Sequence, residues 1–133
     1  MISTKEILSK FKNVALVGAS GDLTKTSSVV MKYLQKSGFK VYPVNPKMKG
    51  QKILGEIVFG KISEIKSPVE IIDVFRPSNE AIEIAREAVE IGAKVLWLQL
   101  KIKNEEAKKI VEANNMIYIE DKCTKIEIEK FIN

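Results

Sequence analysis

The sequence predicts an α/β fold, a doubly wound parallel sheet of about five strands with helices on both faces. Three observations predict it. Short apolar segments at 14–17, 39–44, 69–75, 94–99 and 116–119 have glycine, proline, asparagine or charged residues at or within two residues of their ends, the mark of buried strands. The stretches between them carry apolar residues at helical spacing, and alternation of this kind builds a parallel sheet covered on two sides. The first segment stops abruptly at Gly18-Ala-Ser-Gly21, a small-residue loop that runs straight into a helical pattern.

Ser3-Thr-Lys-Glu6 has the form of a capping box, and Ile7, Leu8 and Phe11 follow at helical spacing, so a short amphipathic helix precedes strand one. After the loop, Val30, Tyr33 and Leu34 define a helix over 26–37 that Ser37-Gly38 ends. The second strand is expected to stop at Pro43-Val-Asn-Pro46, because proline has no N–H for the ladder. Residues 47–60 read as a polar loop with at most a short strand near Ile53 or Ile57, and 62–65 as one helical turn. Pro77 opens a helix over 77–90 with Ile82, Ala85 and Val89 on one face, ended by Gly92. Asn104-Glu-Glu caps the next helix, which carries Ala107, Ile110 and Val111. Thr124-Lys-Ile-Glu127 reads as a second capping box, before a closing helix with Ile128, Phe131 and Ile132. Strand order 3-2-1-4-5 is expected ahead of 2-1-3-4-5; in both, ligands sit beyond the carboxyl ends of the strands.

At 133 residues the chain suits one domain spanning 1–133. With 45% apolar and 29% charged residues it has the composition of a soluble globular protein, and no apolar run approaches the ~18 to 20 residues of a membrane span. No signal or transit segment is visible, so a cytoplasmic location without membrane association is expected. The net charge of +5 is scattered rather than gathered into a basic patch with recognition elements, which argues against a nucleic-acid partner. A lone Cys123 excludes an intramolecular disulfide, and the absence of histidine removes the common zinc and triad constellations. No catalytic residue and no metal ligand is expected, and the chain reads as a binder more than an enzyme. A homodimer is the default oligomer.

Gly18-Ala-Ser-Gly21 fails both the Walker spacing and the Gly-x-Gly-x-x-Gly fingerprint, since Ser20 and Leu23 stand where glycines would be. At the second strand end, NAD binders place an acidic residue for the ribose hydroxyls; here Asn45-Pro-Lys47 stands, followed by Lys49 and Lys52. That edge favours a ribose phosphate, which coenzyme A and NADP both carry. Gly18-Ala-Ser-Gly-Asp-Leu23 resembles the nucleotide-binding opening of glucose-6-phosphate dehydrogenase; the match covers this hexapeptide and keeps NADP as the alternative ligand, for an oxidoreductase or an NADP sensor.

A longer resemblance runs through the chain in order: Val14-Ala-Leu-Val-Gly-Ala-Ser20 with Ser27, Val41-Tyr-Pro-Val-Asn-Pro-Lys47, Asp73-Val-Phe-Arg76, Gly92-Ala-Lys-Val-Leu-Trp-Leu-Gln99 and Asp121-Lys-Cys-Thr-Lys-Ile-Glu127. With these motifs the chain resembles the small stand-alone CoA-binding proteins, whose Rossmann-like domain is similar to the CoA-binding domain of the succinyl-CoA synthetase α subunit. The resemblance implies coenzyme A or an acyl-CoA as ligand and a role as sensor, carrier or docking module for a protein partner yet unknown. It implies that Gly18, Ser20 and Ser27, with Ala19, Lys25 and Thr26, face the pyrophosphate. Asn45, Pro46 and Lys47 would meet the adenosine end, and Phe75, Arg76 and Pro77 would form the rim. Relatives often have prolines and an arginine where this chain has Gly21, Lys25 and Thr26, and Glu-Gly where it has Leu100-Lys101. Plainer roles stand beside these: turn and cap for Ser20 and Ser27, a carboxylate partner for Arg76 at Asp73 or on a helix, core packing for Trp97, and a buried inert thiol for Cys123 in place of a redox or thioester role.

Overall fold

Five strands form one parallel sheet in the computed structural model, which describes residues 2–131. In chain order the elements are α1 (Thr4–Lys10), β1 (Asn13–Val17), α2 (Thr26–Lys36), β2 (Lys40–Val44), β3 (Lys52–Ile53), β4 (Glu56–Ile57), β5 (Ile71–Val74), α3 (Ala81–Glu90), β6 (Val95–Leu98), α4 (Glu105–Glu112), β7 (Ile117–Ile119) and α5 (Thr124–Glu129). Single 3₁₀ turns occupy Pro46–Met48, Ile62–Glu64 and Ser78–Glu80. Ile132, expected on the closing helix, lies outside the described residues.

The sheet order is β2-β1-β5-β6-β7, which for its five strands is 2-1-3-4-5. This corrects the expected 3-2-1-4-5, and Pro43 supplies the physical reason. It lies inside β2 instead of ending it, opposite Leu16 of β1, with its carbonyl turned to the outer edge, where the Phe59 N–H donates to it at 2.9 Å. A residue's N and C=O share one side of a strand, so the missing N–H also falls on the outer edge; proline is tolerated on an edge strand and not inside a sheet. Phe59 bridges Val44 there, and the Asn45 N–H donates to its carbonyl at 2.9 Å, which closes the edge to another strand. The chain therefore crosses over and β5 pairs with the free side of β1.

Alternating strand residues feed two apolar layers. Leu16, Ile71, Val95 and Trp97 pack under α1, α2 and α5 with Ile7, Leu8, Leu34 and Ile128. Ala15, Ile72, Val74, Leu96 and Leu98 pack under α3 and α4. The buried stripe of α3 is Ala81, Ile84, Ala85 and Ala88, shifted from the expected Ile82, Ala85 and Val89; its alanines allow close approach to the sheet and α4. Trp97 is fully buried, its indole N–H donating to the Lys122 carbonyl at 2.8 Å, which is the core role.

The α1 capping box is formed: the Glu6 N–H donates to Ser3 Oγ at 3.1 Å and the Ser3 N–H to Glu6 Oε1 at 3.2 Å. The second box does not form. Cys123 is the N-cap of α5, Thr124 is already helical and its hydroxyl donates to Asp73, while the Glu127 carboxylate accepts from Thr4 and Lys130. Residues 52–57 make an antiparallel hairpin around Leu54 and Gly55, both at positive φ as a two-residue turn of this hand requires.

The departure at Leu100-Lys101 has a structural cost. Lys101 is exposed at φ 68, a conformation that costs a side chain roughly 1–2 kcal/mol. Lys101→Gly is expected to raise unfolding free energy by up to about 1 kcal/mol, the relief being partly offset by glycine's greater freedom when unfolded. Urea denaturation checks this; a loss of stability would mean that strain at Lys101 is already relieved by its neighbours.

Candidate functional site

The loop after β1 is built by backbone contacts that only small residues permit. Gly18 sits at φ 97, and a Cβ there would lie 2.9 Å from the Phe75 carbonyl oxygen at the end of β5. The Gly18 and Ala19 N–H groups share the Val44 carbonyl at 3.1 and 3.2 Å, tying the loop to the end of β2. Within the loop, Ser20 Oγ accepts from the Asp22 N–H at 3.0 Å and the Ser28 hydroxyl donates to the Ser20 carbonyl at 2.7 Å. Asp22 Oδ1 accepts from both the N–H and the hydroxyl of Thr24, which hold its carboxyl below the usual range.

These bonds set the start of α2 and leave it open. Its N-cap, Lys25, supplies no side-chain cap, and among the described residues the Thr26 and Ser27 N–H groups have no partner. Ser27 is buried as a residue, but no fully buried side-chain polar atom among the described residues lacks a partner, so its hydroxyl, without a protein hydrogen bond, opens onto the cleft. A helix start with free N–H groups and no acidic residue in its first turn presents a positive potential that favours an anion.

At the end of β2, Asn45 is a positioning residue. Its Nδ2 donates to the Ala19 carbonyl at 2.8 Å and its Oδ1 accepts from the Lys47 N–H at 2.9 Å, so both ends of the amide are committed to joining the two loops. Lys47 lies on the turn that follows, exposed and without an ion-pair partner among the described residues. The other basic residues of that stretch go elsewhere: Lys49 pairs with Glu64 at 3.0 Å, and Lys52 lies on the hairpin. At the end of β5, Arg76 is clamped by Glu80, Nε to Oε1 at 3.0 Å and Nη2 to Oε2 at 2.7 Å, so its carboxylate partner is on the following turn and not Asp73. The pairing raises the Arg76 pKa and lowers that of Glu80.

These three strand ends open onto a cleft of about 1090 Å³. It brings together every candidate residue except Pro77, which only opens the 3₁₀ turn beyond the rim. It also brings in residues the sequence reading passed over: Gly60, Lys61 and Ile62 from the crossover, and Asn79, Glu80, Glu83, Ile84 and Glu87 from α3 and the turn before it. A stripe at 80, 83, 84 and 87 is visible at helical spacing, but nothing local places 60–62 opposite it; the Phe59 bridge to Val44 does that.

Behind the cleft, Asp73 is fully buried and hydrogen-bonded by Gln99 Nε2 and, at 3.0 Å, by the Thr124 hydroxyl. Burial pushes its carboxyl up to about 7 against the pull of these two donors. Cys123 is buried on the α2 side, consistent with a packing role. Among the described residues no group of three or more acidic, cysteine or histidine side chains is placed to hold a metal ion, and no helix is long and apolar enough to cross a membrane.

Residues 12–129 match the family described as a CoA binding domain. The chain belongs to that CoA-binding family. It is 36% identical over 122 residues to the uncharacterised protein YneT of Bacillus subtilis (strain 168), covering 92% of this chain and 89% of that one. A hypothetical protein from Pyrococcus horikoshii OT3 has the same fold at TM-score 0.93 and 35% identity, with 98% of this chain and 90% of that one covered. The dinucleotide-forming acetyl-coenzyme A synthetase 1 of Ca. Korarchaeum cryptofilum shares the fold at TM-score 0.67 and 23% identity, over 80% of this chain and 25% of that much longer one. In this CoA-binding domain the first loop is where backbone meets backbone, at Gly18.

Proposed function

We propose that this chain binds coenzyme A or an acyl-CoA in the cleft, as a sensor, carrier or docking module in the cytoplasm, and does not itself catalyse a reaction. The observation that carries the reading is the open start of α2, where among the described residues the Thr26 and Ser27 N–H groups have no hydrogen-bond partner and the ammonium groups of Lys25 and Lys47 beside it have no ion-pair partner. In this reading the pyrophosphate lies against Gly18, Ala19, Ser20 and the first turn of α2, and Lys47 meets the ribose phosphate. Arg76 reaches a phosphate by exchanging Glu80 for it; both groups are exposed, where an ion pair is weakly held. Ser27 offers a hydroxyl, while Asn45 and Pro46 hold the loops in register. NADP is the second reading, favoured by the lack of a carboxylate at the end of β2, where NAD would need one.

Calorimetric titration with CoA, dephospho-CoA, NADP and NAD tests both. Lys47→Ala is expected to weaken CoA about tenfold, the loss of one charge-assisted contact of ~1.5 kcal/mol, and to leave dephospho-CoA unchanged. Equal loss for both would remove Lys47 from the ribose phosphate, and preference for NADP would replace the ligand.

A further inference from the structure

Beyond the phosphate loop the cleft continues as a slot between the Ile62 turn and α3. Its back is aliphatic, Val17 and Val44 at the strand ends with Ile62 and Ile84 facing across, all in one apolar layer, while Lys61, Asn79 and Glu83 line its mouth. At this slot lies Glu87, half-buried, its carboxylate with no hydrogen bond or ion pair among the described residues, whereas the carboxylate of its neighbour on the same face, Glu80, is taken by Arg76. Burial first, then the like charge of Glu83, holds the Glu87 carboxyl above its usual range, and the Lys61 ammonium opposes them. A carboxylate kept partly out of water without a partner, beside an apolar slot, is an acceptor placed for a donor the protein does not supply.

We propose that the slot takes the purine base of the ligand and that Glu87 accepts a hydrogen bond from the base's 6-amino group, making it a specificity-determining residue for adenine. The inference rests on the CoA reading. The base is the flat, mostly apolar end of that ligand, with faces that suit aliphatic walls, and its 6-amino edge offers N–H donors. Its position follows from the phosphates: with the pyrophosphate on α2 and the ribose phosphate at Lys47, the base is one sugar away from the end of β2. There the Val44–Phe59 bridge places Gly60, Lys61 and Ile62 alongside. An ionised carboxylate only accepts, so a base whose 6-position lacks N–H gains nothing from it.

The test uses CoA and 1,N6-etheno-CoA, whose closed ring removes the amino hydrogens, each titrated calorimetrically into the wild type and Glu87→Met. Methionine keeps the length and helix preference of glutamate without the carboxylate, and circular dichroism checks the fold. The wild type is expected to bind etheno-CoA about tenfold more weakly than CoA, and Glu87→Met to bind both with the same weakened affinity. If the wild type binds the two alike, or the tenfold gap persists in Glu87→Met and so comes from bulk, the inference fails while the CoA reading stands. If the wild type binds neither, the CoA reading fails and takes this inference with it.

Discussion

Gly18→Ala is expected to weaken CoA binding by more than about tenfold and to cost the fold about 1–3 kcal/mol, while Gly21→Ala three residues on does little of either. The two glycines look alike in sequence and differ in what surrounds them. At Gly18 the backbone is at φ 97 and a Cβ would meet the Phe75 carbonyl oxygen at 2.9 Å, a backbone atom held by its strand. Relief requires the loop to lift off β5, which moves Ala19 and Ser20 away from the first turn of α2, where the ligand's pyrophosphate is proposed to lie. At Gly21 the nearest atom is the terminal Met48 carbon, also at 2.9 Å, and that flexible tip can swing aside. Thermal unfolding of both variants, with CoA titrated well below their transitions, checks the contrast. An affinity loss at Gly18 equal to that at Gly21 would mean the loop does not position the ligand.

Asp73→Asn is expected to make the protein more stable at pH 8 and nearly unchanged at pH 4. Asp73 is fully buried, and its carboxyl is raised from 3.8 to about 7 by that burial. Its folded state therefore holds a proton that the unfolded state releases earlier. The stability associated with that proton is fully present below pH 3.8, falls as pH rises, and is gone above about 7. At ~1.4 kcal/mol per pH unit the span is of order 4 kcal/mol, an upper bound for a group with two hydrogen-bond donors near it. Asparagine resembles the protonated acid: its Oδ1 still accepts from Gln99 and its Nδ2 donates toward Thr124, whose hydroxyl turns to accept. Urea unfolding of both proteins from pH 4 to 8 gives the difference directly, with the pH response of the exposed carboxylates common to both. Parallel curves would show that Asp73 stays ionised in the fold.

The sequence was most legible where structure is local. The Ser3–Glu6 box, the Asn104 cap, the stop at Gly38 and the period of α2 depend on residues within one or two turns of each other, and each is present as read. The second capping box had the same four-residue form and failed because Thr124 found a buried acceptor, Asp73, that lies on a distant strand. Asn45 was legible as a residue of the strand end that opens on the cleft and not in its task, since the partner that takes its amide, Ala19, belongs to another loop.

What the sequence by itself determined is the α/β class, the number of sheet strands, the small-residue loop after β1 and the family, all carried by apolar period and by motifs a few residues long. Tertiary structure decided the strand order and the far wall of the cleft. Pro43 held a clue to the first, because a proline inside a strand belongs on an edge, but only the pairing with Phe59 shows which edge and forces β5 across to β1. The same pairing carries Lys61 and Ile62 round to face Ile84 and Glu87 on α3. Hydrogen bonds between distant strands are set by which edges are free once the chain is compact, and no local pattern of residues records that.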